Sequence, residues 1–309
     1  MSTPTPAGII RPRSKKKRYQ LLWMALPFFV LVIMFNYMPL FGWVYSLFNY
    51  KPGIPLFKCD FVGLKYFKLF LTDRYDMHRV MKNTITFALI GYVISPLPMI
   101  FAIMLNEVRC RPYKKFVQTI STMPNFVSWV IVYSIMFSIF STDGLLNDWL
   151  FSLGLIEKPT NVLADAGAVY WFQTALGQWK SLGWSSIIYL AAISGIDQEM
   201  YEAANIDGAT RLQSIWYITV PSLMPTFIVL LLLSIGNFVS VGFDQYFVFK
   251  NNVNAANIEV LDVYVYRIGL MNTDYSYGVA IGIMKSFVSI VLLFFANFLS
   301  KKVRGASIF

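Results

Sequence analysis

"EAANIDGATRLQSIWYITVP", residues 202–221, has the composition of a segment that meets water. It is followed by "TFIVLLLLSIGNFV" at 226–239 and "SFVSIVLLFFANFL" at 286–299, which do not. The polar stretch reads as two short helices. The first, near 197–206, carries Asp197, Glu199 and Glu202 towards its start, where a helix N-terminus favours negative charge. Gly208 interrupts it and allows a tight turn. The second, 209–219, places Leu212, Ile215, Trp216 and Thr219 at helical spacing, and Pro221 restarts the chain into apolar sequence. A polar hairpin enclosed by oily runs predicts a membrane bundle with a built loop at its surface.

The composition agrees. Of 309 residues, 57% are hydrophobic and only 14% charged, against about 25% charged in a soluble domain. The net charge of +10 therefore argues less for nucleic acid than for basic residues marking one face of a bilayer. Two cysteines, Cys59 and Cys110, support neither a disulfide framework nor a cysteine metal site. A single histidine, His78, offers no metal cluster and no nucleophile triad. No catalytic residues and no metal site are expected, so a membrane-bound enzyme is disfavoured.

A bilayer core needs roughly 20 apolar helical residues. Six segments qualify, predicting an all-α integral membrane protein: 21–45, 83–105, 121–140, 169–194, 222–241 and 278–300. Prolines at 27, 39, 96, 98 and 124 interrupt three of them, which a membrane helix tolerates when neighbours satisfy the freed carbonyls. The basic run "RPRSKKKR" (11–18), the loop "NEVRCRPYKK" (106–115) and the tail "KKVRG" (301–305) fall on one side of a six-span chain. That places the N-terminal tail 1–20 and the C-terminal tail 301–309 in the cytoplasm, flanking a transmembrane domain at 21–300. The acid-rich segment 141–167 then lies outside. The segment 46–82 is the exception, external yet carrying several lysines and arginines. Outer pieces such as "GLKYFKLFLTDRY" (63–75) suit helices resting at the interface, with docking of an external partner as the other reading.

From residue types alone, the 195–221 hairpin fits either a bare interfacial turn or a knob gripped by another protein. The spacing Glu202-Ala203-Ala204, three residues, Gly208, nine residues, Ile218, one residue, Val220-Pro221 resembles the EAA loop of permease subunits of bacterial ABC importers. These work with a solute-binding protein. The family pattern ends in Leu-Pro where this chain has Val220-Pro221. Asn205 and "DGA" at 207–209 resemble the carbohydrate branch, and "GLKYF" (63–67), "NTITF" (83–87) and "YGVAIGI" (277–283) look like further family segments. The likeness extends to oligosaccharide and polysaccharide-fragment permeases, including the alginate-importer type.

The resemblance implies a type I ABC importer permease architecture in the bacterial inner membrane. It implies a coupling helix seated in a cytoplasmic ATPase subunit, with Glu202, Ala203, Ala204, Asp207, Gly208, Arg211 and Pro221 as the coupling positions. It also implies the partners: a second homologous permease, two ATPase subunits that bind ATP and Mg, and an extracytoplasmic solute-binding protein. No cofactor is expected on this chain. "GVAIGIMKS" (278–286) lacks the Gly-Lys of a phosphate-binding loop and sits in an apolar span. Gly278 and Gly282 read instead as a small-residue helix contact.

Polar residues inside spans are costly in lipid and mark substrate paths. The fourth span offers Gln173, Gln178, Trp179, Lys180, Ser181, Trp184 and Ser185. The fifth offers Asn237 and Ser240, with Asp244 and Gln245 just beyond. Of these, Trp179, Lys180, Ser181, Trp184, Asn237, Ser240 and Gln245 are the expected path. The family likeness adds Ser181 and Trp184 as sugar contacts. Aromatic faces stack on sugar C–H faces while amides and hydroxyls bond the hydroxyl groups. Lys180 could meet the carboxylate of an acidic sugar, or else pair within the assembly. Lys285 poses the same question, and Asn125, Trp129 and Tyr133 are further candidates. The expected function is import of an oligosaccharide, with a uronate oligosaccharide as the narrower option. The alternatives are another polar solute, such as a peptide or amino acid, or an ATP-independent carrier. The carrier would use intramembrane acids or histidines and internal repeats.

Overall fold

The structure is a computed structural model that describes residues 15–72 and 76–304. Residues 11–14 of the basic run, residues 73–75 and residues 305–309 of the C-terminal tail lie outside the described residues. Among the described residues there are helices and one isolated bridge, Phe48 to Phe61, but no strand.

Among the described residues, five stretches are long and apolar enough to cross a membrane: Leu22–Leu47, Asp76–Asn106, Trp129–Ser152, Arg211–Gly236 and Tyr275–Lys302. Prolines shape the first. Helix α1 (Lys15–Val32) widens into a π-turn at Ile33–Tyr37 and then tightens into a 3-10 helix at Met38–Leu47. Pro39 has no N–H for the carbonyl of Phe35, so the regular ladder cannot continue through it. No described side chain before Ser46 is buried. The short α2 (Lys65–Thr72) packs beside this segment and fixes its buried Tyr66 by a 2.9 Å hydrogen bond to Asn49 Oδ1.

The second span begins earlier than 83. Helix α3 (Asp76–Ile94) breaks at Ser95-Pro96 and resumes as α4 (Leu97–Glu107). The third is displaced as well. The amphipathic α5 (Arg111–Thr122) ends in a 3-10 turn at Met123–Phe126, built around Pro124, and α6 (Trp129–Phe140) starts afresh with Ser128 as its N-cap. Helix α7 (Leu145–Ser152) follows.

Helix α8 (Val169–Ser194) has the expected bounds, and its 26 residues span about 39 Å at 1.5 Å each. It is not among the five apolar stretches because one row of it is polar. It is held centrally instead. Met99, Ala102 and Ile103 of α4 pack on Tyr189 and Ile193 of α8 and on Leu223 further along the chain. On the other side of α8, a Cβ at Gly183 would stand 2.2 Å from the carbonyl oxygen of Ser121. Only glycine permits that approach.

The fifth span runs earlier than 222–241. Helix α9 (Gln198–Ile206) and α10 (Arg211–Ser214) form the hairpin, and a π-turn at Ile215–Thr219 joins α10 to α11 (Val220–Gly236) without interruption. Pro221 therefore sits inside a continuous helix instead of restarting it. Its missing N–H falls just after the π-turn, as at Pro39. Residues 237–243 are irregular, and three short helices follow: α12 (Asp244–Phe249), α13 (Ala255–Ile258) and α14 (Leu261–Tyr266). Helix α15 (Tyr275–Arg304) closes the bundle. Of the two glycines read as a helix contact, a Cβ at Gly278 would stand 2.9 Å from the Gly269 Cα, whereas one at Gly282 would meet nothing within 4 Å.

The α12–α14 cap is pinned to α3. Asn83 Nδ2 donates to the carbonyls of Ala256 and Glu259, its Oδ1 accepts from Tyr170 at 2.6 Å, and the Leu261 amide donates to Thr84 Oγ1. That gives "NTITF" a structural task at its first two residues. Next to it, Glu259 is only 2% exposed and receives Lys250 Nζ at 2.6 Å, Arg267 Nε at 2.7 Å and Arg79 Nη2 at 3.0 Å. Arg79 also pairs with Asp76. Burial pushes the Glu259 carboxyl up, but the hydrogen bonds and charges of Arg267 and Lys250 outweigh it and hold the group below its ordinary value. Part of the basic excess in 46–82 is thus consumed internally.

Candidate functional site

Two places bring the expected residues together. The first is the hairpin. Asp197 caps α9 by accepting from the Glu199 amide at 3.0 Å. At the other end the Ala209 amide donates to the Ala204 carbonyl at 2.9 Å and the Gly208 amide to the Asn205 carbonyl at 3.1 Å. These two bonds, with Gly208 at φ +76°, make a Schellman helix end, which places glycine where a left-handed residue is needed. The next helix begins at once. Thr210 and Gln213 form a capping box, with Gln213 Oε1 accepting from the Thr210 amide at 2.7 Å. A hydroxyl contact of 2.9 Å between Tyr201 and Thr219 ties the hairpin to its base.

The spacing from Glu202-Ala203-Ala204 to Gly208 is therefore the spacing of a helix and its stop signal. The result is a rigid knob whose outer face stays uncovered. Glu202, Ala203, Asp207, Gly208, Arg211 and Pro221 are exposed and Ala204 is half-buried. Ile206 is 87% exposed and Leu212 69%. Apolar side chains held this far into solvent on a fixed scaffold have the character of a contact surface.

The second place is a cavity of about 640 Å³ between α3, α8 and α11, within the usual range for small-molecule sites of roughly 300–1,000 Å³. Five of the expected path residues line it: Ser181, Trp184, Asn237, Ser240 and Gln245. Gln173, Gln178 and Ser185 join them. Gln245 Nε2 donates to Gln173 Oε1 at 2.9 Å and to the Gln173 carbonyl at 2.7 Å, which fixes that wall. Ser181 donates to the Gly177 carbonyl of its own helix, leaving its lone pairs free to accept. Gln178 Nε2 is buried with no partner, an amide donor in want of an acceptor.

Trp179 and Lys180 are not on this wall. Lys180 Nζ donates to the Asn125 carbonyl at 2.8 Å and lies 5.2 Å from the ring centre of Trp129. That bond closes the broken turn after α5. Trp179 stands on another face, half-exposed. Trp129 and Tyr133 pack against the core cluster around Val132 and Phe249, so they hold the bundle together. Lys285 pairs with Asp262.

The α8 wall is a stripe of Thr174, Gly177, Gln178, Ser181, Trp184 and Ser185, each three or four residues from the next turn. Residues 179 and 180 fall off that stripe, a distinction the helical period already contains. Phe87, Tyr92 and Tyr246 also line the cavity and were not anticipated. Tyr92 donates to the Ser234 carbonyl at 3.1 Å, and its ring stacks on Phe238 at 5.9 Å. An aromatic residue in a span gives no sign of whether it faces lipid or cavity.

The arrangement offers amides, hydroxyls and ring faces but no charged group, suiting a neutral, hydroxyl-rich surface. Its walls α8 and α11 are the two helices that the hairpin joins. Residues 94–305 match the family described as binding-protein-dependent transport system inner membrane component. The chain is 38% identical to protein LplB of Bacillus subtilis (strain 168) over 98% of its own length and 95% of the relative's. It is 37% identical to the polygalacturonan/rhamnogalacturonan transport system permease protein YteP of the same organism, over 97% and 95%. Its fold matches a chain of a bacterial alginate ABC transporter, solved in complex with an alginate pentasaccharide-bound periplasmic protein. The TM-score is 0.84 and the identity 32%, covering 95% of this chain and 98% of that one.

Proposed function

The chain belongs to the inner membrane components of binding-protein-dependent transport systems, and we propose that it is one of two permease subunits of an ATP-driven oligosaccharide importer. A second, homologous permease completes the path. A solute-binding protein delivers cargo on the side opposite the 195–221 hairpin. Two cytoplasmic ATPase subunits, which carry ATP and Mg, grip the hairpin, and both termini share that cytoplasmic side.

The observation that carries this reading is the cavity, walled by the two helices that enter and leave the hairpin. A displacement of a rigid knob joined directly to α8 and α11 moves the cavity walls, and ATPase closure then biases one arrangement of the bundle over another. The ring faces of Phe87, Tyr92 and Trp184, set among Gln178, Ser181 and Asn237, match the alternating apolar and hydroxyl surfaces of a sugar. A uronate cargo is supported by the polygalacturonan and alginate relatives and not by the cavity, which no cation among the described residues lines.

The test is ATP hydrolysis by the purified complex in lipid, stimulated by its binding protein across neutral and uronate oligosaccharides. Stimulation by one sugar class identifies the cargo. An active complex that responds to no sugar but to a peptide or amino acid sinks the carbohydrate reading.

A further inference from the structure

Beside the cavity lies a second chamber of about 530 Å³, of whose lining the expected path includes Ser240 alone. It is lined by Asp262 at the start of α14, by Lys285, Ser286 and Ser289 of α15, and by Ser240. Lys285 Nζ donates to Asp262 Oδ1, and the two side chains are 22% and 17% exposed. They are paired but not sealed. An ion pair closed inside a bundle is weak support for stability, because apolar residues of similar size pack there at least as well. Ionisable groups at membrane depth face bundle interiors or wet cavities, and this pair faces a hollow.

The chamber adjoins a hollow on each side. Ser240 lines the main cavity as well, so the irregular segment 237–243 is the partition between the two. It begins where α11 ends at Gly236 and borders both hollows. In the other direction Asp262, Gly282 and Ser286 are shared with a groove of about 990 Å³ whose walls include Trp43, Tyr45, Tyr50 and Tyr275. Aromatic groove, polar chamber and main cavity thus lie in sequence, each sharing wall residues with the next.

We propose that the Asp262–Lys285 chamber is a second glycosyl subsite, taking a further unit of a chain whose first units occupy the main cavity. The proposal rests on the carbohydrate reading above. The pair supplies an acceptor and a donor side by side, which two neighbouring sugar hydroxyls can bridge together. Ser286 already donates to the Gly282 carbonyl at 3.0 Å, so its oxygen is placed to accept. Because the pair satisfies itself when the sugar leaves, no charge is stranded, and binding stays weak enough for passage.

The experiment measures binding-protein-dependent uptake of di- and tetrasaccharides of one cargo by the full importer in lipid. The variants are Asp262→Asn, Lys285→Met, the exchange Asp262→Lys with Lys285→Asp, and Ser289→Ala, which leaves the ion pair intact. The ratio of tetrasaccharide to disaccharide uptake is expected to fall about tenfold in the charge variants, exchange included, and about threefold in Ser289→Ala. An exchange that restores the wild-type ratio reduces the pair to a structural brace and overturns the subsite. So does an unchanged ratio in Ser289→Ala, which also decides the matter if the charge variants fail to assemble. A wild-type importer that transports no saccharide of either length refutes the carbohydrate reading itself, and the subsite with it.

Discussion

Gly208 separates two explanations of the same glycine, and a pair of substitutions tells them apart. In this chain a Cβ at position 208 meets nothing within 4 Å, so a side chain there costs no packing. What it costs is backbone. At φ +76° a residue with a Cβ is disfavoured by roughly 1–2 kcal/mol, a factor of about 5–30 in any equilibrium that requires the turn. Asparagine visits that region more readily than alanine, because its side chain bonds locally. Strain alone therefore ranks Gly208→Ala as the worse change. A groove of another protein closing over this point ranks Gly208→Asn as the worse change, because the longer side chain projects outward from an exposed turn. The assay is retention of the ATPase subunits on the purified permease together with binding-protein-stimulated hydrolysis, read beside the unfolding midpoint of the permease. The expected result is a fall in coupling of at least tenfold for Gly208→Asn, with the midpoint almost unmoved and Gly208→Ala less affected. Coupling losses that follow the strain order would assign Gly208 to helix termination only and refute the docking argument.

The remaining expectations are local. Gly183→Ala forces α8 off the backbone at Ser121 and is expected to destabilise the chain by about 1–3 kcal/mol, whereas Gly91→Ala, with nothing within 4 Å of the added Cβ, is expected to be neutral; denaturant midpoints of the two variants check this. Because the Glu259 carboxyl is held below its ordinary value, its contribution is complete above the unfolded value of about 4.3 and is lost as pH falls through the lower folded one. Glu259→Gln should remove that acid step and cost roughly 3 kcal/mol by taking the carboxylate from Lys250 and leaving Arg79 and Arg267 to share Asp76, measured as the pH dependence of the unfolding midpoint. Lys180→Met is expected to lower stability without changing the preference between acidic and neutral sugars, since its ammonium is already committed to the Asn125 carbonyl; a selective loss of acidic sugars in uptake assays would contradict this.

How far such features can be read from sequence depends on what a residue type constrains. The hairpin was legible because capping and termination are local. Asp197, Gly208 and Thr210 act within a few residues of themselves, and α9 lies close to the expected 197–206. The bounds of α8 were legible as well. The starts of the second, third and fifth spans were not. Helix continues past the apolar run into Asp76–Lys82, where polarity says loop; the expected 209–219 helix runs on through Pro221 into the span; and helix stops short at Met123–Phe126, where a proline turn outranks apolarity. On the cavity wall, polarity found Ser181, Asn237 and Gln245 but placed Lys180 among them, although residue 180 lies off the stripe. Phe87 and Tyr246 were invisible because burial of an aromatic residue depends on helices far away in sequence. The ion cluster at Glu259 joins residues 79, 250, 259 and 267, and no spacing rule connects them.

The polarity of α8 also bears on how the chain is made. Lipid does not welcome a helix carrying Gln173, Gln178, Lys180, Ser181 and Ser185. A lysine near the centre alone opposes insertion by about 2.5–3.5 kcal/mol. Translated in isolation between inert flanks, residues 169–194 should cross a membrane poorly, and adding α4 and α5 should rescue them; efficient insertion alone would refute this. During synthesis α8 therefore has to wait for earlier helices or enter alongside them. The residues that wall the cavity thus make the birth of this span a cooperative event, and changes to that wall will register first as altered yield, before any transport is measured.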